Sequence, residues 1–68
     1  MFKPEILKSK MVANNLTVDI LSDKLGIDTA TFSRKMGKKS EFKRSEMQLI
    51  RECLGLTKDD MDAIFFAQ

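Results

Sequence analysis

Histidine is absent from this 68-residue chain, and cysteine occurs once, as Cys53. Those two scarcities exclude an intramolecular disulfide and leave no nitrogen and sulfur cluster for zinc. They also leave no nucleophile–base pair, and no clustered carboxylates mark a pocket, so an enzyme is the weakest reading and no cofactor is expected. No apolar run approaches the roughly 18 residues of a membrane span. The first ten residues, MFKPEILKSK, alternate charged and apolar side chains and contain no secretory h-region. Repeats, low-complexity tracts and linkers are missing too. The expectation is one metal-free cytoplasmic domain over residues 1–68, with neither a membrane nor a small-molecule substrate among its partners.

What is present is the material of a small soluble globular domain. Hydrophobic residues make up 43% and charged residues 32%, with little length to spare for a large core. Helical spacing dominates throughout. Pro4 suits the first turn of a helix and Glu5 its positive end. Ile6, Leu7, Lys10, Met11 and Ala13 carry that helix to about Asn14, where Asn14-Asn15 reads as a stop. Thr17 caps a second helix with Val18, Leu21 and Leu25 on one face, and Gly26 ends it. Ile27 drops toward the core as the chain turns. Asp28 caps a third helix, in which Phe32 and Met36 lie four apart.

Residues 37–43 form the longest irregular stretch, with Phe42 pinning it to the core. Ser45 is expected to cap a fourth helix, with Met47, Ile50 and Leu54 as its apolar stripe, Leu49 and Cys53 beside it, and Gly55 at its end. Thr57 caps a fifth, with Asp59 and Asp60 at its positive end and Met61, Ile64 and Phe65 turned inward. Five helices with short connections and no strand pattern give an all-α domain.

The third helix is the most informative element. Its other side carries Thr29, Ala30, Ser33 and Arg34, which are small or hydrogen-bonding. One buried stripe and one small polar face with a single arginine meet the requirements of a major-groove reading helix. Helices two and three then form a helix-turn-helix. Charge distribution points the same way. The net charge is only +2, but residues 34–44 hold Arg34, Lys35, Lys38, Lys39, Lys43 and Arg44 against Glu41 alone, a sum of +5. Residues 1–33 sum to zero and residues 45–68 to −3. A basic loop beside a reading helix is placed to clamp phosphates, although charge runs often form no more than a solvated surface.

Over almost its whole length the chain resembles a small phage-type repressor DNA-binding domain of the Cro/CI (Xre) class. Leu21, Ser22, Leu25, Gly26, Ile27 and Phe32 fall where that family places its helix-turn-helix core. FSRKMGKKSEF followed by SEMQLI resembles the reading-helix end, basic loop and fourth helix of short Gram-positive phage regulators. Ser22 stands where alanine is commonest, and Lys35 at a position often apolar, so Lys35 is expected to face the DNA backbone and not the core.

The resemblance implies a compact five-helix, lambda-repressor-like fold that binds a pseudo-palindromic double-stranded operator as a dimer in a bacterial cell or phage-infected host, associated with the nucleoid. By the same resemblance Thr29, Ala30, Ser33 and Arg34 match base-facing positions, Thr17 a phosphate contact, and Lys38, Lys39 and Ser40 the opposite groove edge.

Side-chain chemistry refines those roles. The planar fork of Arg34 can bond guanine N7 and O6 together, or else pair with a phosphate or with Asp28. Thr29 and Thr31 offer hydroxyls to phosphate or base, and Ala30 a methyl to thymine. Lys35, Lys43 and Arg44 join Lys38, Lys39 and Ser40 as phosphate candidates. Cys53 reads as a buried structural thiol, with a redox sensor as the alternative. Phe66 faces about 100° away from Phe65; with Phe2 it forms an apolar patch suited to a weak homodimer, unless the two rings cover each other. The leading expectation is a Cro-like transcriptional repressor. The competing one is a protein-interaction module, an antirepressor or antitoxin-like adaptor, using the acidic C-terminal half.

Overall fold

The computed structural model describes residues 1–67, and its order is five helices: α1 (Pro4–Ala13), α2 (Val18–Leu25), α3 (Thr29–Met36), α4 (Arg44–Leu54) and α5 (Lys58–Phe65). No strand occurs among the described residues. No helix among them is long and apolar enough to cross a membrane.

Local chemistry sets most boundaries. The Thr17 hydroxyl accepts from the Ile20 N–H at 3.2 Å, the Asp28 carboxylate from the Thr31 N–H at 2.7 Å, and the Thr57 hydroxyl from the Asp60 N–H at 3.1 Å. Each satisfies an amide that the first helical turn leaves without a partner. Gly26 and Gly55 close α2 and α4 at φ 73° and 62°, left-handed values that a side chain disfavours. Asn15 takes the same role after α1, at φ 55°.

One boundary differs from expectation. Ser45 is not the cap of α4 but its second residue. Lys43 occupies the cap position, and the Glu46 carboxylate reaches back to accept its N–H at 2.7 Å. A third-position glutamate does the capping that a serine was expected to do.

Each helix contributes one side chain with no exposed surface: Leu7, Leu21, Phe32, Ile50 and Ile64. Those five residues share a single hydrophobic core, filled out by Met11, Leu25, Met36, Leu54, Leu56, Met61 and Phe65. α2 packs against both α3 and α4, and α1 against α5. Buried Ser22 donates its hydroxyl to the Val18 carbonyl at 2.6 Å, so a polar group sits in the core with its bond made. Val18, expected on the buried stripe, is 38% exposed at the first position of α2. Leu49 is exposed and Cys53 half-buried against the core.

An aromatic cluster holds the connection between α3 and α4. Phe42 meets Phe2, Phe32 and Phe65 edge-on, at centroid distances of 5.4, 5.7 and 5.9 Å. Such pairs add about 0.5–1.5 kcal/mol beyond the area they bury. The irregular segment is thereby anchored at its middle. The N-terminal residues are tied down as well, with the Lys3 N–H donating to the Ile64 carbonyl at 2.7 Å. A Lys10–Asp60 ion pair at 3.3 Å links α1 to the start of α5.

Candidate nucleic-acid interface

α3 divides its residues by helical period. Phe32, Lys35 and Met36 are buried, at i, i+3 and i+4. Thr29, Ala30, Ser33 and Arg34 are all exposed on the other side. Thr31 lies between the two sets and is half-buried. The four residues read as base-facing therefore share one open, small-residue surface. Only the arginine projects far from it.

Arg34 is not tied up in an ion pair. Its guanidinium reaches the Thr31 hydroxyl at a long 3.4 Å, and among the described residues the ion pairs are Lys10–Asp60 and Lys35–Glu46. Asp28 lies at the other end of the helix. Hydrogen bonds from the Thr31 side chain and backbone hold its carboxyl below the ordinary range, against a small opposing push from burial, and the charge of Arg34 adds to them. The carboxylate is thus satisfied where it stands, as the helix N-terminus favours.

Beyond α3 the chain exposes Lys38, Lys39, Ser40, Lys43 and Arg44. Lys38 takes a left-handed backbone at φ 65°, whereas Gly37 before it stays right-handed at φ −81°. The amides of Lys38 and Lys39 donate to the Lys35 and Arg34 carbonyls at 3.1 and 2.9 Å, so the turn out of the helix is hydrogen-bonded. Thr17, the expected phosphate contact ahead of α2, is exposed while its hydroxyl caps that helix.

Lys35 corrects the sequence reading. It was expected to face the DNA backbone, and instead it is 7% exposed and points into the protein. Its ammonium pairs with Glu46 at 2.9 Å, donates to the Glu41 carbonyl at 3.1 Å, and lies 5.9 Å from the Phe42 ring centre. Glu46 is itself 6% exposed. Desolvation pushes its carboxyl up, but hydrogen bonds from the Lys43 N–H and Lys35, with both lysine charges, outweigh this and hold it below the ordinary value. An ion pair so placed has no free charge for a phosphate. Lys35 leaves the candidate set.

Glu46 was missed in the sequence, although two signals were there. Lys35 shares a helical face with Phe32 and Met36, and a buried lysine requires an anion. Glu46 stands three residues after Lys43, the spacing of a reciprocal cap.

The expected Phe2–Phe66 pair lies along one open groove, with Phe2 half-buried and Phe66 exposed. Phe2 stacks on Phe65 at 5.6 Å and belongs to the aromatic cluster. Phe66 lies at its edge, tilted against Phe65 at 6.4 Å and 56% exposed. It borders two open grooves, one with Phe2 and Phe42, the other with Met47, Met61, Arg44 and Arg51.

No family model, curated protein or solved structure matches the chain. What this surface does must follow from its own chemistry.

Proposed function

We propose that the chain is a sequence-specific regulator of transcription that binds double-stranded DNA, with α2 and α3 acting as a helix-turn-helix and α3 lying in the major groove. The observation that carries this reading is two exposed sets adjacent in the chain. The small polar face of α3 ends in Arg34, which makes no ion pair among the described residues, and the segment that follows exposes Lys38, Lys39, Lys43 and Arg44. Small residues allow the helix backbone to approach base edges, arginine reads guanine bidentately, and flanking lysines take phosphates. Metal or nucleophilic chemistry is not needed for any of these tasks.

The role we assign is that of a phage Cro-like repressor, acting by occupying a promoter. A single module of this size buries little DNA surface, so two copies are required for tight specific binding. They meet through the apolar surface around Phe66, weakly in solution and more firmly on DNA, and read half-sites about one helical turn apart, about 10–10.5 bp centre to centre. Selection from a random duplex library, followed by footprinting, tests binding and symmetry together. Enrichment of a two-fold motif supports the proposal. No enrichment at any salt concentration refutes it and turns attention to a protein partner.

A further inference from the structure

The buried Lys35–Glu46 pair does more than neutralise two charges. One carboxylate oxygen of Glu46 accepts from both the Lys35 ammonium at 2.9 Å and the Lys43 N–H at 2.7 Å. The same ammonium donates to the Glu41 carbonyl at 3.1 Å. The end of α3, two backbone groups of the connecting segment and the first turn of α4 therefore converge on three hydrogen bonds. Lys38 and Lys39 lie between those fixed points, Lys43 is itself one of them, and Arg44 follows it.

Stability alone does not call for this arrangement. Replacing a buried ion pair by apolar side chains of similar volume is often neutral or stabilising. An apolar pair, however, cannot bond the Glu41 carbonyl or the Lys43 amide. What the charges add is a defined path for the backbone that carries the exposed cations.

We propose that Lys35 and Glu46 are positioning residues for phosphate contact, fixing the basic segment against the end of α3 so that both meet the duplex in one geometry. This rests on the DNA-binding reading above. Neither side chain touches DNA; both act through Lys38, Lys39, Lys43 and Arg44.

The test is a mutant cycle on the full chain, read by affinity for the selected duplex. The first change, Lys35→Met with Glu46→Gln, removes both charges and the bond to Glu41, while glutamine can still accept from the Lys43 amide. The second is Lys38→Ala with Lys39→Ala. If the pair positions the segment, the first change lowers affinity about tenfold. The second then adds little in that background, because the lysines are already misplaced. Hydrogen exchange at the Lys38 and Lys39 amides, which close the turn out of α3, should quicken while the core amides of α2 and α4 stay protected. Lys35→Arg, which keeps a charged donor for both oxygens, should bind within about threefold of the unmodified chain. Should the Met/Gln variant fall short of native helix content, Lys35→Met alone carries the cycle: it removes the bond to Glu41 and leaves the Glu46 carboxylate accepting from the Lys43 amide at the positive end of α4. Losses that simply multiply overturn the inference and leave the DNA reading standing. An unmodified chain that binds no duplex overturns both.

Discussion

Salt dependence gives the most quantitative test of the basic surface, and burial of Lys35 changes its expected size. Between residues 34 and 44 the exposed cations are Arg34, Lys38, Lys39, Lys43 and Arg44. If Arg34 is given to a base, about four remain for phosphates on each protomer, hence about eight on a dimer. At about 0.9 counterions released per contact, log affinity should fall against log salt with a slope of about −7. Between about 50 and 200 mM salt that is a loss of about 10⁴ in affinity. Removing Lys38 and Lys39 with alanine should bring the slope to about −4 while leaving the ranking of operator sequences nearly intact. Fluorescence anisotropy on a labelled operator across that salt range measures both numbers. An unchanged slope in the double alanine variant would take the segment off the DNA backbone. A slope near about −9 in the unmodified chain would mean a fifth phosphate contact on each protomer, from Arg34 or from a Lys35 that opens from Glu46, and only a slope that Lys35→Met brings back to about −7 would contradict the buried pair.

Three further outcomes are expected. Arg34→Ala should relax preference at one base per half-site, at about 1–3 kcal/mol, and Arg34→Lys should recover affinity but little discrimination; profiles over all single-base operator variants decide this, and uniform weakening would make Arg34 a phosphate contact. Phe66→Asp should weaken self-association and cooperative DNA binding without unfolding the monomer, because the ring is more than half exposed; sedimentation showing an unchanged monomer–dimer equilibrium rules the patch out. The depressed carboxyl of Glu46 favours the folded state above its unfolded pKa, and that stability is lost as pH falls through the lower folded value. Melting temperatures between about pH 6 and 2 should therefore drop less steeply in Glu46→Gln, with Asp28 and Asp60, whose carboxyls are also depressed, retaining part of the slope. Equal slopes would show that the pair does not contribute.

Helix limits were legible wherever one side chain acted on its own turn. Thr17, Asp28 and Thr57 cap by local bonds, and Gly26 and Gly55 terminate by their own backbone freedom, so all five were readable in sequence. Features that depend on distant residues were not. Lys35 was read as a solvent-facing cation because its partner lies eleven positions away, across an irregular segment. Ser45 was read as a cap because serine usually is one, whereas the actual cap is built by Glu46 reaching backward. Phe2 was paired only with Phe66, because Phe42 and Phe65, which half-bury it, arrive from distant parts of the chain. Leu56 entered the core unannounced, directly after Gly55, whereas Ile27 after Gly26 was expected to turn inward and packs half-buried against it. In both cases the residue following a left-handed glycine packs back beneath the helix that just ended. The open face of α3 needed only its own period, and its four expected positions are all exposed.

The backbone at Lys38 carries a consequence for engineering. A non-glycine residue at φ 65° gives up about 1 kcal/mol relative to glycine, while its neighbour Gly37, at φ −81°, makes no use of its freedom. A β-carbon at Gly37 would meet the Ser33 and Arg34 carbonyl oxygens at 3.4 and 3.7 Å, ordinary contact distances. Gly37→Ala with Lys38→Gly would thus make a sturdier protein by both changes, and would delete one of the exposed cations in doing so. At this turn the most stable chain and the most positively charged one are different molecules, and the natural sequence is the charged one.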